Sequence, residues 1–312
     1  MKVSVIIPIY NGKNFIEDCC FQLASQTLRD DMEFILVNDG STDGSGEICD
    51  LMSAKYHNCK VVHQINKGVS AARNSGLAIA TGEYIGFVDV DDQFDTDMYE
   101  CMLKYADAEK LDIVSMEQGK IHGHELVYND VDEWMNAFFL STIGMSVCSK
   151  LFRKSIIPDD LFPEGKRIHE DLYATYIALT RACKVGILNV NKYHYIHREG
   201  SSSRVKVFSE KYLDAIDIAD KIYQDAKTHF PNETDSNEAR KARTYLRISK
   251  IYFLRGAPEE YRQRINKLKE YLSGLDKTKL NLYYKKNDLI RYQLYLNAMP
   301  VFLILVKTID RK

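Results

Sequence analysis

Residues 83–92 read Glu-Tyr-Ile-Gly-Phe-Val-Asp-Val-Asp-Asp, and this stretch decides how the rest of the chain is interpreted. An apolar run of strand length ends abruptly in the carboxylates Asp89, Asp91 and Asp92. The pattern predicts a buried parallel strand that delivers acidic side chains to its carboxyl end, where open α/β sheets bind their ligands. Because Asp89 and Asp91 can face one point, their oxygens suit a Mg²⁺ or Mn²⁺ ion that carries substrate phosphates. The alternative is a solvated acidic turn.

The sequence before this stretch alternates between strand-like and helix-like segments, which is the pattern of βαβ units and a mostly parallel sheet. Besides the acidic strand, we predict strands at 3–9, 33–37, 60–63, 112–116, 146–152 and 193–197. A polar loop follows each of the first three, and these loops contain Tyr10, Asn11, Asp39, Asn66 and Gly68. Because the three loops open on the sheet edge where the acidic strand ends, they predict a nucleotide-binding cleft.

Composition and missing motifs narrow the class of protein. With 45% hydrophobic and 28% charged residues, the chain of 312 residues has an ordinary globular composition. It contains neither Gly-x-Gly-x-x-Gly nor Gly-x-x-x-x-Gly-Lys-[Ser/Thr], so neither a dinucleotide-dependent enzyme nor a P-loop NTPase is favoured. Its 7 Cys include no Cys-x-x-Cys pair, which argues against a zinc module or a disulfide framework and favours a reducing, cytoplasmic location.

Charge and periodicity distinguish the C-terminal third. Residues 201–312 carry 23 Lys and Arg against 14 Asp and Glu, although the formal net charge of the whole chain is -2. Apolar residues recur there at helical spacing, as at Tyr212, Ile216 and Ala219. Residues 289–312 mix aromatic and aliphatic side chains with basic ones, which suits a peripheral helix on the inner face of a membrane. The alternatives are a last helix packed on its own domain and a homo-oligomer contact.

Several ordered motifs in this chain match one family. They are Val-Ser-Val-Ile-Ile-Pro-Ile-Tyr-Asn at 3–11, Ser-Gln-Thr at 25–27, Glu-Phe-Ile-Leu-Val-Asn-Asp-Gly-Ser-Thr-Asp-Gly-Ser at 33–45, Asn-Lys-Gly-Val-Ser-Ala-Ala-Arg-Asn-Ser-Gly at 66–76, and the acidic strand at 82–92. Downstream, the likeness thins to Ser-Lys-Leu-Phe-Arg-Lys at 149–154, Glu170-Asp171, and Tyr-x-Tyr-x-x-Arg-x-x-Ser-x-Ser at 193–203. With these motifs the chain resembles the inverting glycosyltransferases of family 2, of the bacterial surface-polysaccharide type, which have the GT-A fold.

The resemblance implies an α/β fold, with a Rossmann-like GT-A domain built on a mostly parallel sheet and a C-terminal helical region. It divides the chain into a nucleotide-sugar-binding half at 1–117, an acceptor-side half at 118–204 and helices at 205–312. The implied reaction moves a hexosyl or N-acetylhexosaminyl group from a nucleotide diphosphate donor, in the first place a UDP-sugar, to an acceptor hydroxyl. The expected acceptor is a glycan or a lipid-linked glycan in surface polysaccharide synthesis, and nucleic acid is not an expected partner.

The resemblance also assigns roles on the donor side. The residues implied to bind the nucleotide are Pro8, Tyr10, Asn11, Asp39, Asn66, Gly68, Arg73 and Asp89. Tyr10 would stack on the base, and Asp39 would hydrogen-bond the base ring. Asp91 would be the principal ligand of Mn²⁺ or Mg²⁺, and Asp89 would hold the ribose or share the metal. A divalent cation would stabilise the negative charge that develops on the departing diphosphate.

On the acceptor side, the resemblance implies that Asp171 is the general base that takes the proton of the attacking hydroxyl. Glu170 would orient the acceptor or its loop, although acids at a helix start are also common caps and dipole partners. Arg73 would add positive charge on the phosphate side or orient the acids, and a structural salt bridge is the alternative. From its place in the predicted strand, His197 would be a third metal ligand or a diphosphate contact. The alternatives are a structural strand histidine, and Arg198 or Arg204 as the phosphate contact.

Two other functions also fit parts of the sequence. The first is a metal-dependent nucleotidyl- or phosphoryl-transferase, because Asp-x-Asp at a strand end also serves phosphate chemistry. The absence of a Gly/Lys phosphate loop and the presence of Glu170-Asp171 weigh against it. The second is a sugar-nucleotide-binding subunit without turnover, which product formation would distinguish from an enzyme.

Overall fold

The computed structural model describes residues 1–196, 207–255, 258–284 and 286–309. The chain divides into two compact units, Met1–His197 and Arg198–Lys312. Within the described residues all strands lie in the first unit, and the second unit is helical. The predicted C-terminal helical region is therefore confirmed. The division of the first unit at residue 117 stays a prediction.

The first unit is built on a large central sheet. Its strands in the described residues are β1 (Val3–Ile9), β2 (Met32–Asp39), β3 (Cys59–Gln64), β4 (Tyr84–Phe87), β5 (Gln93–Phe94), β6 (Ile113–Met116), β7 (Glu125–Tyr128), β8 (Lys150–Arg153), β9 (Val185–Leu188) and β10 (Tyr193–His194). Eight of these strands form one sheet in the order β3-β2-β1-β4-β8-β6-β9-β7, while β5 and β10 pair separately. The first four strands of this order are parallel, as are β6 and β9, and β8 and β7 are antiparallel to their neighbours. The predicted mostly parallel sheet is confirmed.

Both faces of the central strand β1 are buried, as its continuous apolar run predicts. Val3, Val5 and Ile7 belong to a buried cluster that includes residues of α1 (Ile16–Ala24) and α4 (Met98–Glu109). Ile6 points to the opposite face, because side chains alternate along a strand. There it lies against Gly76 of α3 (Val69–Ile79), whose missing side chain lets the helix sit directly on the sheet. The other helices of this unit are α2 (Ser45–Lys55), α5 (Val131–Phe139) and α6 (Glu170–Arg181).

Strand β8 is shorter than the predicted strand at 146–152, because it begins only at Lys150. The backbone before it makes other contacts. The Ser146 carbonyl accepts from Lys150 Nζ at 2.7 Å, and the Val147 N–H donates to Asp171 Oδ2 at 3.4 Å. Backbone groups that are used in this way do not extend a strand ladder. The strand predicted at 193–197 is likewise confined to Tyr193–His194 in the described residues.

The second unit contains, within its described residues, the helices α7 (Lys211–His229), α8 (Thr234–Leu254), α9 (Arg262–Ser273), α10 (Lys277–Tyr283), α11 (Lys286–Asn297) and α12 (Met299–Ile309). The predicted apolar stripe of α7 is buried at Tyr212, Ile216 and Ala219, so its helical face packs as the spacing indicates. Helix α8 packs against both α7 and α9.

A buried ammonium group joins these three helices. Lys241 Nζ of α8 lies 4.4 Å from the ring centres of Tyr223 of α7 and Tyr271 of α9. It also lies 2.9 Å from Asp220 Oδ1. Cation–π contacts and an ion pair therefore replace the water that this ammonium group loses on burial.

The aromatic residues of the last two helices are core residues. Tyr292 and Tyr295 of α11 and Phe302 of α12 are buried, as expected for a last helix that packs on its own domain, and membrane contact of this segment stays a prediction. Their apolar surface is used for packing inside the helical unit. Val301 and Ile304 of α12 are exposed. No helix among the described residues combines the length and the apolar character needed to cross a membrane.

We expect Gly76→Ala to destabilise the first unit by about 1–3 kcal/mol, because a core that gains a methyl group without room for it must shift. A Cβ at this position would meet Ile6 Cγ2 at 2.5 Å. Urea unfolding followed by the fluorescence of Trp134, the single Trp of the chain, measures the change in this unit. Gly274→Ala is the control, since its Cβ would approach no atom closer than 3.6 Å. Equal stability of Gly76→Ala and the wild type would contradict the close packing of α3 on β1.

Candidate active site

The loop after β1 is tied to the loop after β2. Asn11 has a φ of +51°, a left-handed conformation that Asn adopts more readily than most residues. Its N–H donates to Ser41 Oγ at 3.0 Å, and its side-chain oxygen accepts from the Thr42 N–H at 2.8 Å. The ring of Tyr10 remains 55% exposed beside these contacts and is accessible to a planar ligand. Pro8 lies beyond the last pair of β1 with β4, so its missing N–H removes no bond from that ladder.

The loops after β2 and β3 are joined by Asp39, whose carboxylate is buried. Asp39 Oδ1 accepts from the Lys67 N–H at 2.8 Å and from Gln64 Nε2 at 2.7 Å, and Oδ2 accepts from the Gly68 N–H at 2.8 Å. A carboxylate has about four acceptor positions, so one more donor can be accommodated. The backbones also approach closely, since a Cβ on Gly40 would lie 2.5 Å from the Asn66 nitrogen. The predicted nucleotide-binding residues of these loops are therefore neighbours.

The buried guanidinium of Arg73 connects acids from two distant parts of the sequence. Its side chain is 3% exposed. Nη2 donates to Asp89 Oδ1 at 3.0 Å, and Nη1 donates to Asp171 Oδ1 at 2.5 Å. Nη1 also lies 3.8 Å from Glu170 Oε1, and the guanidinium lies 5.2 Å from the ring centre of Phe162. A single cation thus brings the acid after β4 together with the acidic pair at the start of α6.

Burial changes the proton affinity of this acidic pair. Burial raises the pKa of Glu170 to about 7, and the charge of Asp171 adds to the shift while Arg73 opposes it. Burial also raises the pKa of Asp171 against the attraction of Arg73. Although burial disfavours a charged guanidinium, Asp171 and Asp89 raise the pKa of Arg73 above its ordinary value. Carboxyl groups with raised pKa values are suited to proton transfer near neutral pH.

Asp92 has a different environment from Asp89. Its buried carboxylate accepts from the Tyr193 hydroxyl at 2.5 Å and from the Ile196 N–H at 2.9 Å. The Tyr193 oxygen in turn accepts from the Asp89 N–H at 3.2 Å. Burial raises the pKa of Asp92. Asp92 therefore attaches the segment around β10 to the end of β4.

Asp89 and Asp91 are the residues that fit a divalent cation. The side chain of Asp89 is 38% exposed, and Asp91 is partly exposed at the same strand end. Within the described residues, no three Asp, Glu, His or Cys side chains are grouped to hold a metal ion on their own. Mg²⁺ is commonly held by one or two carboxylates together with substrate phosphates, so this donor set fits an ion that binds with its nucleotide. The predicted third ligand, His197, lies outside the described residues.

Sequence reasoning missed three contributors to this site. The Phe162 ring lies against Arg73, the Val147 N–H contacts Asp171, and Tyr193 bonds to both Asp89 and Asp92. Of these three residues, only Tyr193 lies in one of the family motifs, at 193–203, so the sequence could have indicated only its part in the site. The other two depend on a ring in a loop and on a backbone N–H, which no residue pattern identifies.

Sequence comparison places the chain among glycosyltransferases. Residues 4–156 match the family described as Glycosyl transferase family 2. Glycosyltransferase GlyG of Streptococcus pneumoniae serotype 4 is 31% identical over 252 residues, which is 69% of this chain and 80% of GlyG. Glycosyltransferase GlyA of the same organism is 34% identical over 233 residues, which is 69% of this chain. The chain matches 33% of the length of GlyA.

Two solved structures have folds similar to that of this chain. S. aureus TarS 1-349 in complex with UDP-GlcNAc has a TM-score of 0.70 at 20% identity, covering 100% of this chain and 92% of TarS 1-349. Mannosyltransferase PcManGT from Pyrobaculum calidifontis, in complex with GDP-Man and Mn²⁺, has a TM-score of 0.50 at 17% identity, covering 98% of this chain and 86% of PcManGT. The motifs, the sheet and the coverage of GlyG lead to one conclusion: the chain belongs to glycosyl transferase family 2 and has the GT-A fold of that family.

Proposed function

We propose that this chain is an inverting glycosyltransferase that moves a sugar from a nucleoside diphosphate, in the first place UDP, to an acceptor hydroxyl. The observation that carries the proposal is the bridge made by Arg73 between Asp89 and Asp171. Asp89 stands at the strand end where α/β sheets bind nucleotides. Asp171 stands at the start of α6 with a raised pKa. One site therefore combines a donor-side acid with a candidate base.

On the donor side, we assign binding of the nucleotide base to the exposed ring of Tyr10 and to Asp39. An exposed aromatic ring can stack on a base, and Asp39 retains acceptor capacity for one donor. The other residues assigned to nucleotide binding are Pro8, Asn11, Asn66, Gly68, Arg73 and Asp89. The complex of TarS with UDP-GlcNAc, a protein of similar fold, supports a UDP-sugar as the donor.

Asp91 and Asp89 would hold a Mn²⁺ or Mg²⁺ ion, which supplies Lewis-acid stabilisation of the departing diphosphate when it is bound. The Mn²⁺ in the PcManGT complex supports this assignment, as does the carboxylate donor set. His197 is retained as a further candidate ligand. Arg73 adds a fixed positive charge next to Asp89, on the same side of the site.

For the transfer itself, we assign Asp171 as the general base that accepts the proton of the acceptor hydroxyl. The acceptor oxygen attacks the anomeric carbon, the bond from that carbon to the diphosphate oxygen breaks, and the nucleoside diphosphate leaves with the electron pair. The acceptor proton passes to a carboxylate oxygen of Asp171. Arg73 and the Val147 N–H orient this carboxylate, and its raised pKa makes it a stronger base. Glu170 would orient the acceptor from the preceding position.

The acceptor we propose is a glycan or a lipid-linked glycan of a surface polysaccharide, and the proposed location is cytoplasmic, with the basic helical unit against the inner membrane face. The excess of Lys and Arg in residues 201–312 supports attraction to anionic lipid. Ile290, Val301 and Ile304 supply exposed apolar groups on α11 and α12. Self-association of this unit is the competing proposal.

Membership of the family disfavours a nucleotidyl- or phosphoryl-transferase. A sugar-nucleotide-binding subunit without turnover would require the acidic site to be present but inactive. Measured release of product decides between this subunit and an enzyme.

We expect the wild-type chain to release nucleoside diphosphate from at least one sugar nucleotide in a donor panel with Mn²⁺ or Mg²⁺. Asp91→Asn should release no nucleoside diphosphate with either metal, because an amide oxygen binds a divalent cation more weakly than a carboxylate oxygen does. Asp171→Asn should lower kcat by about 10²–10⁴-fold, the usual contribution of a general base, while nucleotide binding is kept. Asp18→Asn, at an exposed residue of α1, is the control for the loss of one carboxylate away from the site.

Two results would contradict this proposal. Nucleotide binding without release from any donor or with any acceptor would support the binding subunit. Full turnover by Asp171→Asn would exclude Asp171 as the base.

We expect Glu170→Gln to stabilise the folded chain at pH 8 more than at pH 5. With a folded-state pKa of about 7, Glu170 binds more protons in the folded than in the unfolded chain between roughly pH 4.5 and 7. The stability that Glu170 contributes is therefore present at low pH and is lost as the pH rises through this window. The difference in the free energy of unfolding between variant and wild type should grow by about 1–3 kcal/mol from pH 5 to pH 8. Exposed Glu17→Gln is the control, and a difference independent of pH would contradict the burial of Glu170.

We expect Val301→Asp/Ile304→Asp to reduce flotation of the chain with liposomes that contain anionic lipid, because both changes place charge on an apolar, exposed helix face. Leu51→Asp, at an exposed residue of α2, is the matched control. Flotation should also fall as salt is raised. Unchanged flotation of the double variant, or no flotation of the wild type, would contradict membrane contact through α12.

A further inference from the structure

Residues 144–148, which we call the α6 loop, lie against the helix that carries the candidate base. The Val147 N–H donates to Asp171 Oδ2 at 3.4 Å. The Met145 carbonyl accepts from Thr175 Oγ1 at 3.0 Å. Asp171 and Thr175 are four residues apart, so they share one face of α6. The backbone of the α6 loop therefore forms a wall along this face.

A buried ion pair holds the other side of the α6 loop. Lys150 is fully buried, and its Nζ donates to the Ser146 carbonyl at 2.7 Å. The same Nζ lies 3.7 Å from Oε1 of Glu117, whose side chain is 8% exposed. Oε1 also accepts from the Gly144 N–H at 2.5 Å and from Ser115 Oγ at 2.8 Å. Lys150 and Glu117 thus fix the loop at Ser146 and Gly144.

Stability alone does not explain why two polar side chains are buried here. Removing two charges from water costs free energy, and apolar residues of similar volume often serve a protein core as well or better. Burial lowers the pKa of Lys150, with Glu117 opposing the shift. The close fit of the pair with the loop is specific, since a Cβ on Gly144 would lie 2.9 Å from Glu117 Oε1. A buried, fully bonded polar network restricts its surroundings to one geometry.

We propose that Lys150 and Glu117 are positioning residues that act through the α6 loop on Asp171. By holding Ser146 and Gly144, they fix the Val147 N–H that orients the second oxygen of Asp171. The inference rests on the proposed function, in which Asp171 is the base. It deepens that function by assigning a task to the Ser-Lys-Leu-Phe-Arg-Lys motif at 149–154.

The sheet order separates this network from the residues assigned to the nucleotide base. Strand β8, which carries Lys150, lies beyond β4 in the order β3-β2-β1-β4-β8. Tyr10 and Asp39 are at the ends of β1 and β2, on the other side of β4. Loosening the α6 loop should therefore change the transfer step and leave nucleotide binding intact.

The test uses Lys150→Met, Glu117→Gln and the double variant in the full chain. Lys150→Met releases the Ser146 carbonyl, whereas Glu117→Gln keeps an acceptor oxygen for Gly144 and leaves Lys150 on Ser146. The double variant avoids a buried carboxylate without its cation. We expect Lys150→Met and the double variant to lower kcat by about 100-fold, the effect of a small misplacement of reacting groups. Glu117→Gln should remain close to wild type, and the donor KM and the Kd for UDP should be unchanged in all three.

Amide hydrogen exchange at Val147 gives a readout that does not depend on turnover. We expect faster exchange in Lys150→Met and in the double variant, and wild-type exchange in Glu117→Gln. Wild-type kcat in the double variant, or unchanged exchange at Val147 with Lys150 removed, would overturn the inference. Equal loss of kcat in Glu117→Gln and Lys150→Met would also overturn it, because the charge rather than the loop would then matter.

Failure of the proposed function has a different signature. A wild-type chain that releases no nucleoside diphosphate from any donor contradicts the function, whatever the variants do. In that case the exchange rates at Val147 still decide whether Lys150 holds the α6 loop. A fall in unfolding temperature together with a weaker Kd for UDP would indicate general loss of structure and would overturn the positioning role.

Discussion

The guanidinium of Arg73 is the constraint on which the site depends. A cation that is 3% exposed must be paired, since an uncompensated buried charge costs several kcal/mol. Its partners, Asp89 and Asp171, come from segments that are distant in sequence. Pairing them around one cation fixes the start of α6 relative to the end of β4. Because Gly76 lets α3 pack closely on β1, this helix holds Arg73 where its side chain contacts both acids.

One guanidinium does not neutralise all the acids around it. Asp89, Glu170 and Asp171 surround Arg73, and burial raises the pKa of Glu170 to about 7 and that of Asp171 in the same direction. This surplus of negative charge destabilises the folded chain as the pH rises, which is typical of carboxyl groups gathered at a functional site. Asp92 belongs to the same acidic strand end, but its bonds to Tyr193 and Ile196 make it part of the scaffold.

The two sides of the site are built by different means. At the ends of β1, β2 and β3, Asp39 and Asn11 join the loops that follow parallel strands, so the local path of the chain nearly determines their convergence. Near Asp171, the antiparallel strand β8 and the loop before it are held by buried polar contacts of Lys150. Such contacts give a defined geometry at the cost of desolvation.

Local periodicity and ordered motifs are enough to predict the parallel strands, the edge at which their polar loops meet, the acidic strand end and the family. The sequence also identified Arg73 and the Glu170-Asp171 pair as site residues. It did not indicate that Arg73 connects this pair to Asp89. Three features are evident only in the folded chain: Tyr292, Tyr295 and Phe302 are core residues, the strand predicted at 146–152 begins at Lys150, and Val147 faces Asp171. A residue pattern reports which face of an element is apolar, whereas the partner of that face, and the use of a backbone N–H, depend on contacts between segments far apart in the chain.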